Sequence, residues 1–266
     1  MIRRQQRRSR VPGPINQATA WTPARITTAL WLDADDPTTI TESSGSVSEW
    51  RDKSGNALHV TQATGSAQPT LSTFGSRTAL SFDGSNDNLT NATTGITSGT
   101  YSGELTAFYV ATRSGDGGTI LTERSTALVA PFLWLLAAGD RYISSDGFNS
   151  GSNHTIASGV YDDLSTGGAV ISHQHAAGSR DNLWVNGTSR TVDTGTASSI
   201  SGTAGFSIGS REGVTGQHWN GVIAEIVVVT DTLTTTTREL VEGYLAWRWG
   251  LQGSLPGGHP YSSVAP

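Results

Sequence analysis

The sequence predicts an all-β protein: two antiparallel sheets packed as a sandwich, one C-terminal α-helix and an extended basic N-terminal arm. Three observations carry this. Short apolar runs, several with a period of two, are separated by clusters of Gly, Ser, Asn and Asp. Residues 221–230 are a mostly β-branched run, apolar on both faces, as in a strand covered on both sides. Residues 238–251 hold the one clear helical periodicity, so a single helix closes a β domain instead of alternating with strands.

The arm, residues 1–25, contains Arg3, Arg4, Arg7, Arg8 and Arg10 and no acid in its first ten positions. The chain's net charge is −5, so residues 11–266 hold 12 basic against 22 acidic groups, a balance of −10. With Pro12, Gly13 and Pro14 the arm has no core of its own and should be disordered without a partner. Guanidinium forks match carboxylates and phosphates, so an acidic protein surface or packaged nucleic acid is the expected partner. A solvated tail of no consequence is the plain alternative.

Residues 26–266 read as one domain. An apolar strand at 26–34 runs into an acidic Asp-Pro turn, and short runs at 47–50, 58–62 and 79–83 follow, each bounded by turn residues. Alternation is clearest at 104–112, where Leu105, Ala107 and Tyr109 face one way and Phe108 and Val110 the other. Residues 130–136 and 142–143 pair around Gly139-Asp140, and 169–175 make another strand. Asn186-Gly187 supplies the two positive φ angles of a type I′ hairpin between flanking strands. About a dozen strands are expected. In the helix, Leu240, Tyr244, Trp247 and Leu251 form the apolar stripe with Val241 and Leu245 beside it, leaving Arg238, Glu239, Glu242 and Arg248 to the polar face. A Thr in the preceding turn, residues 231–234, caps it.

Composition narrows the class. Charged residues are 15% of the chain, eight Trp supply buried area, and Cys is absent, which excludes disulfides and thiolate metal sites. No apolar run spans a bilayer and the N-terminus lacks a secretory apolar segment, predicting a protein without membrane contact, made and assembled in a cytosol. No repeat of 20–50 residues points to a solenoid or propeller.

Six short motifs in order are similar to one family. They are Trp50-Arg51-Asp52-Lys53-Ser54-Gly55-Asn56, Leu80-Ser81-Phe82-Asp83-Gly84-Ser85-Asn86-Asp87, Leu183-Trp184-Val185-Asn186-Gly187, Phe206-Ser207-Ile208-Gly209-Ser210, Gly221-Val222-Ile223-Ala224-Glu225-Ile226 and the closing helix with its His259-Pro260-Tyr261 tail. Residues 26–266 resemble the laminin-G-like, concanavalin-A-like jelly-roll family. The resemblance implies two curved antiparallel sheets of six or seven strands each. The Leu30-Trp31-Leu32-Asp33-Ala34 opening and the closing helix look like versions found in bacteriophage virion proteins and in environmental bacterial surface proteins. The expected protein is a virion structural component, capsid-decorating or in the tail, multimeric in the particle and attached to other virion proteins through the arm. It displays a lectin-like domain toward polysaccharide; a purely architectural role and a glycan-degrading enzyme are the alternatives.

Candidate chemistry follows from residue types. Family hydrolases carry paired carboxylates as Glu-x-Asp-x-x-Glu on one strand, and no such run exists here, so no enzyme is expected. Glu225 stands alone in its strand and reads as a structural carboxylate paired to an arginine or to backbone N–H groups. Asp33, Asp35 and Asp36 share one turn, Asp83 and Asp87 another, and the resemblance allows Ca²⁺ at Asp83 and Asp87, although the spacing matches no Ca²⁺ loop. His173 and His175 share one strand face and, lacking a third ligand, read as two surface histidines. Trp219, Phe148, Asn149 and Tyr161 have the chemistry of a carbohydrate site and equally that of core-rim aromatics, with burial the expectation for Trp219. The glycine-rich turn at 115–118 is no phosphate cradle, because no helix follows it.

Overall fold

A computed structural model describes residues 20–97, 104–115, 118–123, 136–138, 141–145, 153–158, 164–165, 167–176, 181–190, 205–211 and 217–266. The described strands are β1 (Leu30–Asp33), β2 (Ile40–Ser43), β3 (Ser46–Trp50), β4 (Val60–Thr61), β5 (Thr70–Phe74), β6 (Arg77–Asp83), β7 (Leu89–Asn91), β8 (Glu104–Ala111) and β9 (Leu121–Glu123). They continue with β10 (Leu136–Ala138), β11 (Arg141–Ser145), β12 (Asn153–Ser158), β13 (Ala169–Ala176), β14 (Asn182–Val185), β15 (Thr188–Ser189), β16 (Phe206–Ile208) and β17 (Asn220–Val229). The helix α1 spans Thr235–Trp249. Among the described residues no helix is long and apolar enough to cross a membrane.

All pairings between these strands are antiparallel. One path runs β15-β14-β13-β8-β17-β6-β5 and continues β3-β4-β7-β16-β9, with β1 beside β17 and β2 beside β3; β10-β11-β12 form a separate sheet. The two halves of the long path meet through a single register pair, Ser46↔Thr70, and lie over one another as the layers of a sandwich. Leu80, Phe82, Tyr109 and Ile171 from one layer share a core with Val47, Trp50, Leu89 and Phe206 from the other. Each such side chain contributes about 1.5–3 kcal/mol through removal from water.

Sequence alternation decides which face each residue takes. In β8, Leu105, Ala107 and Tyr109 enter the sandwich core while Phe108 and Val110 pack under α1, as the period predicts. The Asn186-Gly187 hairpin forms with φ of +49° and +73°. In the Trp50–Asn56 motif, Asp52 accepts the backbone N–H of Trp31 at 2.9 Å, and Asn56 Nδ2 donates to the Ala29 carbonyl at 2.9 Å. That loop therefore fixes the start of β1.

The helix is capped where the sequence places its cap: the Thr234 hydroxyl accepts from the Thr237 N–H, and Gly250 takes the left-handed conformation at the other end. Its buried seam differs from the predicted stripe. Arg238, Val241, Glu242, Leu245, Ala246 and Trp249 are buried, while Leu240 and Trp247 are only half-buried. Trp249, not Trp247, enters the core, and two charged residues of the supposed polar face lie inside the seam. Burial of Arg238 and Glu242 is possible because they pair at 2.6 Å, with Ser172 donating to Glu242 at 2.7 Å and the Trp184 ring 4.1 Å from the guanidinium carbon.

The tail after α1 folds back over it. His259 Nε2 lies 3.2 Å from Glu242, and Trp247 Nε1 donates to the Tyr261 carbonyl at 2.8 Å. Gly243 sits mid-helix because a Cβ there would stand 2.6 Å from the Tyr261 side chain. Ala is favoured over Gly in a helix by about 1 kcal/mol, yet Gly243→Ala should destabilise the protein by about 1–3 kcal/mol, since the ring must move. In a Tyr261→Ala background the same substitution should become neutral or stabilising, read from denaturant unfolding of the four variants.

Candidate functional site

At the junction of β1, β17 and α1, chain pairing sets Asp33 opposite Glu225 on the helix-facing side of the sheet. Glu225 is fully buried and would be strongly destabilising without partners. It has four. Trp31 Nε1 donates at 2.8 Å, Trp249 Nε1 at 2.6 Å and the Tyr244 hydroxyl at 3.2 Å, while Arg248 Nε stands 3.3 Å away. The sequence expectation of a structural carboxylate paired to arginine holds, with indole N–H groups in place of backbone donors. Burial and the neighbouring Asp33 nevertheless push Glu225 up to about 7, against the opposing pull of Trp249, Arg248 and Trp31.

Arg248 links this carboxylate to an ionic ladder at the surface. Its Nη2 donates to both oxygens of Asp33 at 2.9 Å and reaches Asp35 at 3.4 Å. Lys53 Nζ lies 2.9 Å from Asp33 and 2.8 Å from Asp36, over the Trp31 ring at 4.5 Å. Arg77 completes the ladder on Asp35. Asp33, Asp35 and Asp36 thus face cations of their own chain, and hydrogen bonds from Lys53 and Thr38 hold Asp36 at about 2.

Two clefts flank Arg248. One, about 380 Å³, is bordered by Thr22, Trp31, Asp36, Lys53 and Tyr244. The arm's root arrives at this cleft, with Trp21 edge-on to the Tyr244 ring at 5.6 Å. The other, about 510 Å³, lies between the β5–β6 turn and the C-terminal end of α1, bordered by Gly75, Ser76, Arg77, Gly167, Trp247 and Gly250. The sequence carried a signal for neither, because both arise from how α1 docks.

The predicted site residues fall out as follows. Arg3, Arg4, Arg7, Arg8 and Arg10 lie outside the described residues, as do Phe148, Asn149 and Tyr161. Trp219 is fully buried in the sandwich core, so its ring faces no solvent-borne sugar. Asp83 Oδ1 accepts the backbone N–H groups of Ser85, Asn86 and Asp87, and Asp87 Oδ2 accepts that of Asp83. A calcium ion takes six to eight oxygens; these two carboxylates close their own turn and do not form such a cage. Burial and the charge of Asp83 raise Asp87 to about 6, against the bond from the Asp83 N–H. Among the described residues, no group of three or more acidic or histidine side chains is arranged to hold a metal.

His173 and His175 are corrected from surface to interior: both are buried, and both face Asp181, at 3.2 and 2.8 Å. Burial raises the Asp181 carboxyl, but the two imidazoles outweigh it and hold the group far below its ordinary value. Glu123 is a further buried carboxylate that the sequence did not single out. One oxygen accepts from the Thr97 N–H and hydroxyl at 2.9 and 3.0 Å, and the other has no partner among the described residues. Burial pushes Glu123 up to about 7.

No family model matches the chain and no curated protein matches it. Solved structures do match. The binding domain of Paraclostridial Mosquitocidal Protein 1 aligns with a TM-score of 0.58 at 11% identity, over 82% of this chain and 52% of its own. The binding domain of botulinum neurotoxin DC, in complex with rat synaptotagmin II, gives the same TM-score, identity and coverage. Trypanosoma rangeli sialidase in complex with 2,3-difluorosialic acid aligns at 0.55 and 12%, over 83% of this chain and 33% of its own. The chain therefore spans about half the length of the toxin domains and a third of the sialidase. What they share is the fold: an all-β, jelly-roll-like antiparallel sandwich, here closed by a C-terminal helix.

The raised carboxylates set a pH dependence. A folded-state value above the ordinary 4.5 means the folded chain holds its proton more tightly than the unfolded one. The stability from Glu123 and Glu225 is therefore full below about 4.5 and lost as pH rises to about 7. The thermal midpoint should fall between pH 5 and pH 8, and Glu123→Gln should flatten that fall by the order of 1–3 kcal/mol in stability. Melting curves of the two proteins across this range are the check.

Proposed function

We propose that this protein is a non-catalytic recognition domain carried on a bacteriophage particle, attached by its arginine-rich arm and presenting its lectin-like sandwich to polysaccharide. The observation that supports the non-catalytic part is the state of the buried carboxylates beside the clefts, among the described residues. In most glycosidases cleavage uses two carboxyl groups facing the substrate, one as acid and one as base or nucleophile, with sialidases, which use a tyrosine nucleophile, an exception. Asp33 and Glu225 are adjacent and Glu225 is raised toward neutrality, but their oxygens accept from two indoles, a tyrosine, Arg248 and Lys53. These carboxylates hold the helix to the sheet.

The display part is supported by the division of charge. Five arginines in the first ten positions precede 256 residues of net −10, so the arm and the body attract different partners. The similar toxin structures are themselves binding domains, one of them in complex with rat synaptotagmin II, and the sialidase is in complex with 2,3-difluorosialic acid. Those descriptions favour a recognition role on the shared scaffold.

Deleting residues 2–12 should leave the body folded, with an unchanged thermal midpoint, and abolish its recovery with purified particles. Wild-type chain should be retained by polysaccharide from the cells that the particle adsorbs to and should release no reducing ends from it. Particle incorporation of the truncated chain would remove the tether; retention no better than that of heat-denatured protein would leave the architectural role in its place.

A further inference from the structure

The larger of the two clefts beside Arg248 has a composition that specifies a ligand class. We propose that the cleft between the β5–β6 turn and the C-terminal end of α1 binds a neutral saccharide, stacked on Trp247 and hydrogen-bonded by Arg77. This rests on the recognition reading above and assigns it a place.

Trp247 is the one tryptophan of α1 that stays out of the core, half-buried at the cleft wall. Its indole N–H is fixed to the Tyr261 carbonyl at 2.8 Å, which holds the ring in one orientation without using its face. A pyranose offers an apolar C–H face to such a ring and hydroxyl groups around its rim, a combination suited to an aromatic surface bordered by polar groups.

The donors are positioned as well. Arg77 gives Nε to the Arg248 carbonyl and Nη1 to Asp35, while its Nη2 has no partner among the described residues and its side chain is 40% exposed. Arg248 likewise keeps Nη1 without a partner among the described residues. A guanidinium pinned by two of its nitrogens directs the third, which suits hydroxyl recognition. Helix-end carbonyls beside it add acceptors.

Neutrality follows from charge. Arg77 and Arg248 are already matched by Asp35, Asp33 and Glu225, so the cleft has no surplus cation to offset the desolvation of a carboxylate or phosphate. Space follows from glycine: at Gly75, Gly167 and Gly250 no atom stands within 4 Å of a virtual Cβ, so the cleft floor and rim are open backbone. Its volume, about 510 Å³, falls within the roughly 300–1,000 Å³ of small-ligand pockets.

Saturation-transfer NMR and calorimetry on the full chain, with glucose, galactose, mannose, N-acetylglucosamine and their disaccharides, provide the test, with glucuronic acid as charged control. At least one neutral sugar should bind, and Trp247→Ala should weaken it tenfold or more. Ser76→Trp, which fills the cleft mouth from an exposed turn position, should do the same with an unchanged melting midpoint. A neutral sugar that binds both variants as well as wild type overturns the cleft and leaves the recognition reading in place. Binding confined to glucuronic acid overturns the neutral class. If no sugar binds while cell polysaccharide is still retained, the cleft is again overturned; if neither binds, both readings fall together.

Discussion

The arrangement of this molecule depends on one buried carboxylate. Glu225 sits in the central strand β17 where a sandwich would ordinarily place an apolar residue, and its four partners come from β1 and α1. Moving a carboxylate from water into an interior costs several kcal/mol, and its donors return that only when their geometry is right. An apolar contact would let α1 slide or rotate over the sheet with small losses. The Glu225 cluster does not, because displacing the helix by one residue leaves a buried charge short of donors. Helix register is thereby fixed, and with it the position of Arg248, the ionic ladder and both clefts.

The second charged point in the seam, Arg238 with Glu242, has a similar effect at the other end of α1. Ser172 reaches it from β13, Trp184 from β14 and His259 from the tail. Sheet, helix and tail are thus held at two polar points separated by the apolar stretch Val241, Leu245 and Ala246. Gly243 allows the tail to lie close between them.

These two points explain where the sequence could be read and where it could not. Period two in residues 104–112, the Asn186-Gly187 turn and the Thr234 cap are local signals, and each produced the element it predicts. The helix face was a different matter. A periodicity argument treats charge as outward, so Arg238 and Glu242 went to the polar face and Trp247 to the core. They pair with each other within the helix, but their burial also depends on Ser172 and Trp184, more than 50 residues away in sequence, which no window of helix contains. The same holds for His173 and His175, whose strand face is right but whose interior position depends on Asp181, just ahead of the next strand. Acidic turns were legible as turns: Asp83 and Asp87 bond local backbone, the ordinary use of Asx residues there. Trp219 fitted a sugar site and a core position equally by residue type, and only the family resemblance favoured the core position it takes. The Trp247 cleft was not legible, since its walls come from a hairpin tip and a helix end that only the fold brings together.

A recognition surface gains most from parts that do not have to be ordered when the ligand arrives. Immobilising a side chain on binding costs about 0.5–1.5 kcal/mol, and a weak ligand such as a sugar supplies little to offset it. Here that ordering is already done by contacts with another purpose. The Trp247 indole is held by the tail, Arg77 by a helix carbonyl and Asp35, and the helix end itself by Glu225 through Trp249 and Arg248. The network that pairs Glu225 and Asp33 is the same one that fixes the wall of the neighbouring cleft. The paired carboxylates and the fixed cleft wall are therefore two results of a single constraint, the docking of α1 through Glu225.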